Sequence, residues 1–412
     1  MNLARISIFV AISGLAVRAM AQDAAPSRMT ILDRNLQRIS AELERLAPST
    51  IQYNDVTGRS RSIERSRVLA IFSNRGHSAS LPSALSAGEG NNGIPGILKL
   101  TDGQVVPGFL VTSGSPGETV TWKSRRIGRF AIPLERASSI LFADVAHDRT
   151  KPQRDMAILG NNDRFEGFIE GIGQQLTIEV DGKKNSLPIE RVSWLALANP
   201  LQPGPLPLVY LSDGSVLTSS EFASTAPAGK NAASSTATAQ WALASEGGTG
   251  VVDIDSIDAI LFDSRAIVPL ASIPFEKATG LDGRRWTPTP EVSSPDTAPL
   301  GLASITISGP AQVDWKLPAG SAKFGASLSL PPDAAAWGNA SVIVLASGPA
   351  GTFREVAKAD LTSEKPSADL VADVSDATSL RIEIKGKAYS DVQARVTLHQ
   401  PVLTRKAEAP KP

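Results

Sequence analysis

Four ten-residue stretches of this chain align without a gap, and such internal repetition restricts the possible folds more than any other feature. They are Ser62–Ile71 (SIERSRVLAI), Pro133–Phe142 (PLERASSILF), Pro188–Leu197 (PIERVSWLAL) and Asp253–Phe262 (DIDSIDAILF). Each passes through an acid (Glu64, Glu135, Glu190 or Asp255) and polar positions into a short apolar run. In the first three the acid is followed by Arg65, Arg136 or Arg191. The preceding segments also correspond. Thr101-Asp102-Gly103 leads to Val105–Leu110, Asn162-Asp163 to Phe165–Ile169, and Ser212-Asp213-Gly214 to Val216 and Leu217. Asp-Gly suits a tight turn because both residues accept positive φ. Leu176–Val180 alternates with strand period, and Asp181-Gly182 marks another hairpin. Each copy therefore reads as five short strands, with a turn carrying the acid before the last. Five strands in about 45 residues hide their edges only by curling into a small barrel or by packing on a neighbour.

These units resemble small five-stranded, Sm-like barrel repeats of exported bacterial proteins. Whether they form separate barrels or share sheets is open at this level. In the first copy, Leu32, Leu36, Ile39, Leu43 and Leu46 have helical spacing, so 30–47 could be an amphipathic helix. Register with the other copies favours strands there. The repeats are expected at 28–73, 97–144, 155–199 and 206–264, with a low-complexity disordered insertion at 224–240. The Glu-Arg step invites a catalytic reading, but an acid opening a turn ordinarily accepts backbone N–H groups there. Trp122 and Trp194 lie within strands and read as packing residues.

The first 21 residues read as a secretory signal peptide. Arg5 supplies a positive n-region, Ile6–Val17 an apolar stretch, and Ala19-Met20-Ala21 a small-x-small cleavage pattern. The apolar stretch is too short for a bilayer span of ~20 residues, so no integral membrane segment is expected after cleavage. Export without any cysteine requires folds held by packing alone and excludes thiolate metal sites and cysteine nucleophiles. Lys+Arg and Asp+Glu number 41 each, which removes the electrostatic case for nucleic acid as a partner.

From residue 268 to 404 the texture changes to longer alternating strands with regular turns, the pattern of a β-sandwich. Val313, Trp315 and Leu317 share one face, and Ser341–Leu345 is a buried-strand run. The order VDWKLPAGSAKFGASLSL, SVIVLASGPAGTFREVAKADLTS, LVADVSDATSLRIEI and SDVQARVTLHQPVL resembles the NPCBM family, the novel putative carbohydrate-binding module. The marks are Phe324 and Ala326, then Val342, Val344 and Gly348, then Ala372–Ala377 with Leu380, and finally Asp391 with Pro401-Val402-Leu403. Ser329–Asp333 departs from that pattern, and the tryptophan of the last strand region is missing. The resemblance implies a galactose-binding-like jelly roll that attaches to glycans. Residues 405–412 read as a disordered tail.

The expected fold class is thus all-β: tandem small β-barrel repeats followed by a galactose-binding-like jelly-roll β-sandwich. No nucleophile, zinc or phosphate-loop motif is present, and the three histidines His77, His147 and His399 are scattered. No catalytic, cofactor or metal residues are assigned. The sequence reads as an exported non-catalytic protein that binds cell-surface or extracellular glycans through its sandwich. Trp286 and Trp337 are candidate platforms for sugar rings, with Arg284 and Arg285 as hydroxyl donors beside Trp286, although the residues taken alone favour an ordinary packing role for each tryptophan. The alternatives are a structural or assembly protein with envelope partners and an exported polysaccharide hydrolase.

Overall fold

A computed structural model describes residues 28–73, 93–112, 116–142, 152–202, 207–225, 236–241, 249–253, 256–263, 265–281, 287–293, 298–386 and 394–406. The signal peptide expected at 1–21, together with His77 and His147, lies outside these residues. The fold is all-β, as the alternation and turns require. Among the described residues no helix is long and apolar enough to cross a membrane.

The first unit contains β1 (Arg28–Asp33), β2 (Arg38–Leu46), β3 (Thr50–Asp55), β4 (Ser60–Glu64) and β5 (Val68–Ser73). The second contains β6 (Ile94–Leu100), β7 (Val105–Leu110), β8 (Thr119–Ser124), β9 (Gly128–Pro133) and β10 (Ala137–Leu141). The third contains β11 (Asp155–Leu159), β12 (Arg164–Ile172), β13 (Gln175–Val180), β14 (Lys183–Pro188) and β15 (Val192–Ala196). The fourth contains β16 (Leu208–Leu211), β17 (Val216–Thr225), β18 (Thr236–Trp241), β19 (Thr249–Asp253) and β20 (Ile257–Leu261). In each, four strands form an antiparallel meander and the fifth pairs with the first. Inward side chains of the first unit, such as Ile31, Leu43, Ile51 and Ile71, meet in a single core shared with the other units. Each side chain so buried contributes roughly 1.5–3 kcal/mol.

The helix alternative at 30–47 is overturned. A turn at Asp33–Gln37 separates β1 from β2, and a bulge between Leu43 and Arg45 brings both Leu43 and Leu46 inward. Turn plus bulge imitates the 4-3-4-3 spacing that suggested a helix. The insertion expected at 224–240 is also narrower, since β17 extends to Thr225 and pairs there with Thr236 of β18. The alternating Thr-Ala sequence after 235 suits a strand. Residues 226–235 lie outside the described set.

The repeat register requires a correction in the first unit. Backbone bonds make the carbonyls of Arg67, Arg136, Arg191 and Ser256 accept from the N–H groups of Arg34, Thr101, Gly160 and Ser212, respectively. Ser66-Arg67, rather than Glu64-Arg65, therefore corresponds to Glu135-Arg136 and Glu190-Arg191. These pairs sit in short 3-10 turns before each fifth strand, and no side chain caps the turns. Glu64, Glu135 and Glu190 are exposed, and among the described residues they accept no backbone N–H as expected of them, while Asp255 lies outside the described residues.

In this register the units associate in the same way twice. β5 pairs antiparallel with β20 about Ile71↔Ile260, and β10 with β15 about Ile140↔Leu195. Units one and four, and units two and three, thus form two shared sheets, each hiding the edge a fifth strand would expose. A single pair, Val105↔Val216, joins the two assemblies, helped by Gln104 Oε1 accepting from Thr218 N and by an Arg126–Asp213 ion pair of 2.6 Å.

The remaining strands are β21 (Ile267–Pro269), β22 (Phe275–Gly280), β23 (Glu291–Val292), β24 (Ile305–Ser308), β25 (Ala311–Lys316), β26 (Ser321–Ser329), β27 (Asn339–Ser347), β28 (Phe353–Thr362), β29 (Ser367–Asp373), β30 (Ser379–Gly386) and β31 (Arg395–Arg405). A one-turn helix, α1 (Pro332–Ala335), precedes β27. One sheet runs β24-β31-β26-β29 and the facing sheet β25-β30-β27-β28, with β23 and β22 as extra edges. That alternation of eight consecutive strands between two sheets is a jelly roll. Trp315, Phe324, Val342 and Leu398 lie in its core. Arg405, expected in the tail, ends β31.

The sandwich packs on the first and fourth units. Leu32, Leu36, Phe72 and Leu261 bury a common surface with Ile267, Leu300, Leu302 and Val402. Arg38 donates to Gln400 Oε1 at 2.7 Å and to its carbonyl at 3.0 Å, and Lys323 donates to Asn35 Oδ1 at 2.8 Å. The contact involves the Ser321–Gly325 half of β26.

Candidate functional site

One end of the sandwich lies beyond the Ser329 terminus of β26, away from that packed half. Proline at the first helical position preorganises φ, so Pro331-Pro332 starts α1 directly after β26. The turn closes with Trp337 N and Gly338 N donating to Ala334 O at 3.2 and 2.6 Å. A side chain on Gly338 would collide with that carbonyl and with Leu330. The backbone thus leaves Trp337 pointing outward, and 75% of it is exposed. Trp315, by contrast, is 1% exposed and belongs to the core. The packing role that the sequence favoured for Trp337 does not occur.

Asp333, four residues earlier, takes both carboxylate oxygens to Nη2 of Arg395 at the start of β31. That bond holds the Asp333 carboxyl below its ordinary range, so the pair is ionised at neutral pH. Arg395 Nε is buried and makes no hydrogen bond. Leu281 N donates to Pro310 O at 3.1 Å at the same end of the sandwich. Arg284, Arg285 and Trp286 follow in sequence and lie outside the described residues. The site therefore combines an exposed indole and a planar, charged donor-acceptor pair. Such a combination can stack on the apolar face of a ring and hydrogen-bond its hydroxyls.

Sequence reasoning singled out Trp337 but missed Asp333 and Arg395. Asp333 lies in the Ser329–Asp333 segment that departs from the NPCBM pattern, a usable signal. Arg395 is 62 residues away in sequence, and only the jelly-roll crossing brings it near.

His399 sits elsewhere, on the outer face of the β24-β31-β26-β29 sheet. Its Nε2 lies 2.7 Å from Ser329 Oγ and its Nδ1 3.4 Å from Ser304 Oγ. Burial, and secondarily the charge of Arg38, hold its pKa below the ordinary 6.5. Among the described residues its ring nitrogens meet only these two hydroxyls and no acid. Trp122 is fully buried, and Trp194 packs with Ile158 and Ala196. Among the described residues no group of three or more His, Asp or Glu could hold a metal ion.

No family model matches the chain, and no curated protein matches it. Among solved structures it is similar to the CBM51-2 and INT domains of Clostridium perfringens ZmpB, at 12% identity and a TM-score of 0.27. That match covers 42% of this chain and 38% of the other, well short of its length. The CBM51 of Clostridium perfringens GH95, solved with methyl-galactose, matches at 13% identity and a TM-score of 0.26, covering 34% of this chain and 99% of that one. The xylan-binding module CBM15 matches at 11% identity and 0.25, covering 35% and 99%. These neighbours are carbohydrate-binding modules, and values this low establish no common family or function.

Proposed function

We propose that this is an exported, non-catalytic protein that binds glycans at the loop-bearing end of an NPCBM-like sandwich at 268–404. The observation that carries the reading is the exposed Trp337 on the turn that also carries Asp333, which pairs with Arg395. A large aromatic surface left in water on a module that buries Trp315 and Phe324 marks a binding surface. The indole covers the ring face of the sugar, and the ion pair, already satisfied internally, offers oxygen and nitrogen in one plane to adjacent hydroxyls. Arg284, Arg285 and Trp286 extend this surface in the same proposal. Net charge zero over the chain suits a neutral ligand.

The test is a glycan array probed with the mature chain and with Trp337→Ala and Trp286→Ala. Binding by the mature chain that falls at least tenfold in Trp337→Ala, with unchanged thermal unfolding, supports the reading. Absence of binding to every glycan, or binding unaffected in Trp337→Ala, refutes it. A loss confined to Trp286→Ala moves the site to the neighbouring loop.

A further inference from the structure

The two paired assemblies share a register, yet one junction is filled by arginines and the other is not. Between units one and four, Arg34 Nε donates to Ser66 O at 2.7 Å and its Nη2 to Asp263 Oδ2 at 2.9 Å. The Arg65 guanidinium lies 4.9 Å from the centre of the Phe262 ring. The shared backbone bonds identify the counterparts in units three and two. Arg34 N and Gly160 N donate to Arg67 O and Arg191 O, and Phe262 N and Phe142 N to Leu69 O and Ser193 O. Gly160 therefore stands for Arg34, Ile189 for Arg65, Glu190 for Ser66, and Phe142 for Phe262. Both guanidinium groups are lost, and among the described residues no arginine lies over Phe142.

In their place a groove of about 310 Å³ opens, lined by Ile94, Phe142, Leu159, Gly160 and Glu190, among others. It holds apolar walls and an aromatic ring; the sister junction's acid, Asp263, has Ala143 as its counterpart in sequence, and Glu190 supplies a carboxylate instead from the position of Ser66. Arg191 also lines the groove; its counterpart Arg67 meets Arg34 at the filled junction through its backbone carbonyl.

We propose that the groove between units two and three is a docking site for an arginine side chain of a protein partner. The incoming guanidinium combines the roles that Arg34 and Arg65 divide at the sister junction. It donates to the Glu190 backbone carbonyl, pairs with the Glu190 carboxylate and lies against Phe142. Arginine is preferred to lysine because its flat, weakly hydrated group serves stacking and a charge-assisted hydrogen bond together. This site is separate from the glycan surface, and neither reading depends on the other.

The experiment titrates the mature chain with the peptide Ac-Gly-Arg-Gly-NH2 and with its Lys and Leu analogues, following methyl resonances of Ile94, Leu159 and Val192. Saturable shifts with Arg, several-fold weaker ones with Lys and none with Leu are expected. Gly160→Arg is the decisive variant. Its Cβ would meet Ser193 Oγ at 3.6 Å and Arg191 O at 3.9 Å, ordinary contacts, so the new side chain can fill the groove as Arg34 fills its own. It is expected to abolish the shifts, and Glu190→Gln, an exposed position that spares the core, to weaken them about tenfold. Trp337→Ala is expected to leave them unchanged. No saturable shift in the unmodified chain, equal shifts with Leu, or full binding retained in both groove variants overturns the proposal.

Discussion

Leu36 occupies a left-handed backbone conformation, φ 62°, at a turn position where Gly103, Asn162 and Gly214 stand in the other units. An aliphatic residue is strained there, and the strain is offset because its side chain is buried against Gly325 of the sandwich. Leu36→Ala keeps the strain and loses the packing, so urea unfolding should show a loss of about 2–4 kcal/mol. His399 gives a second residue-level expectation. Its folded pKa is depressed, so the unfolded chain binds the proton more readily. The associated stability is complete above pH 6.5 and declines as pH falls from 6.5 through the lower folded value. Arg38, itself within 4.0 Å of Asp369, is the charge facing it. Unfolding midpoints measured against pH should lose this slope in His399→Gln. Trp337 behaves oppositely, since its side chain is in water and Trp337→Ala should change stability by no more than about 0.5 kcal/mol.

At the level of elements, the second strands of units two and three run unusually close to the third. Gly108 and Gly167 occupy matching places in β7 and β12, and a Cβ on either would run into the carbonyl of Lys123 or Glu179 on the next strand. These obstacles are backbone, which cannot rotate aside. Gly167→Ala should therefore cost about 3 kcal/mol or prevent folding, read by denaturant midpoint and soluble yield. The repeated glycines were visible in the sequence, as were the Asp-Gly turns. The Asp181-Gly182 hairpin has positive φ at both residues, as that pair implies. The Thr101-Asp102-Gly103 turn uses positive φ only at Gly103, and Asp102 instead accepts from Gln104 N. The element misread most easily was the first unit's β1–β2 hairpin. A bulge shifts side-chain period by one residue, and a local window cannot distinguish that shift from a helix.

For the whole molecule, chain order and spatial order are nested: the inner two units pair with each other, and the outer two close around them in sequence. Unit one completes its sheet only when unit four arrives, about 190 residues later, whereas units two and three are sequence neighbours. Loop closure of that length is slow to form. A fragment of residues 93–202 should unfold cooperatively in a thermal melt. A fragment of residues 28–73 leaves the β20-facing edge of β5 unpaired and Leu32 and Phe72 uncovered, so it should aggregate or stay unfolded by circular dichroism and light scattering. A monomeric, folded 28–73 fragment would contradict this account.

By itself the sequence determined the class of structure. Alternation, Asp-Gly turns and fourfold repetition dictate short antiparallel strands, because each is a local consequence of backbone sterics and of which face is apolar. It also marked Trp337 as a residue to examine. Only the tertiary structure decided the rest. The true repeat register in the first unit, Ser66-Arg67, is set by which N–H reaches the Arg67 carbonyl, a bond across 33 residues. The partnering of fifth strands, the meeting of Asp333 with Arg395, and the groove left where Gly160 replaces Arg34 depend on surfaces distant in the chain. Local chemistry specifies which elements form, and packing between them selects which side chains are buried, paired or left open to a ligand.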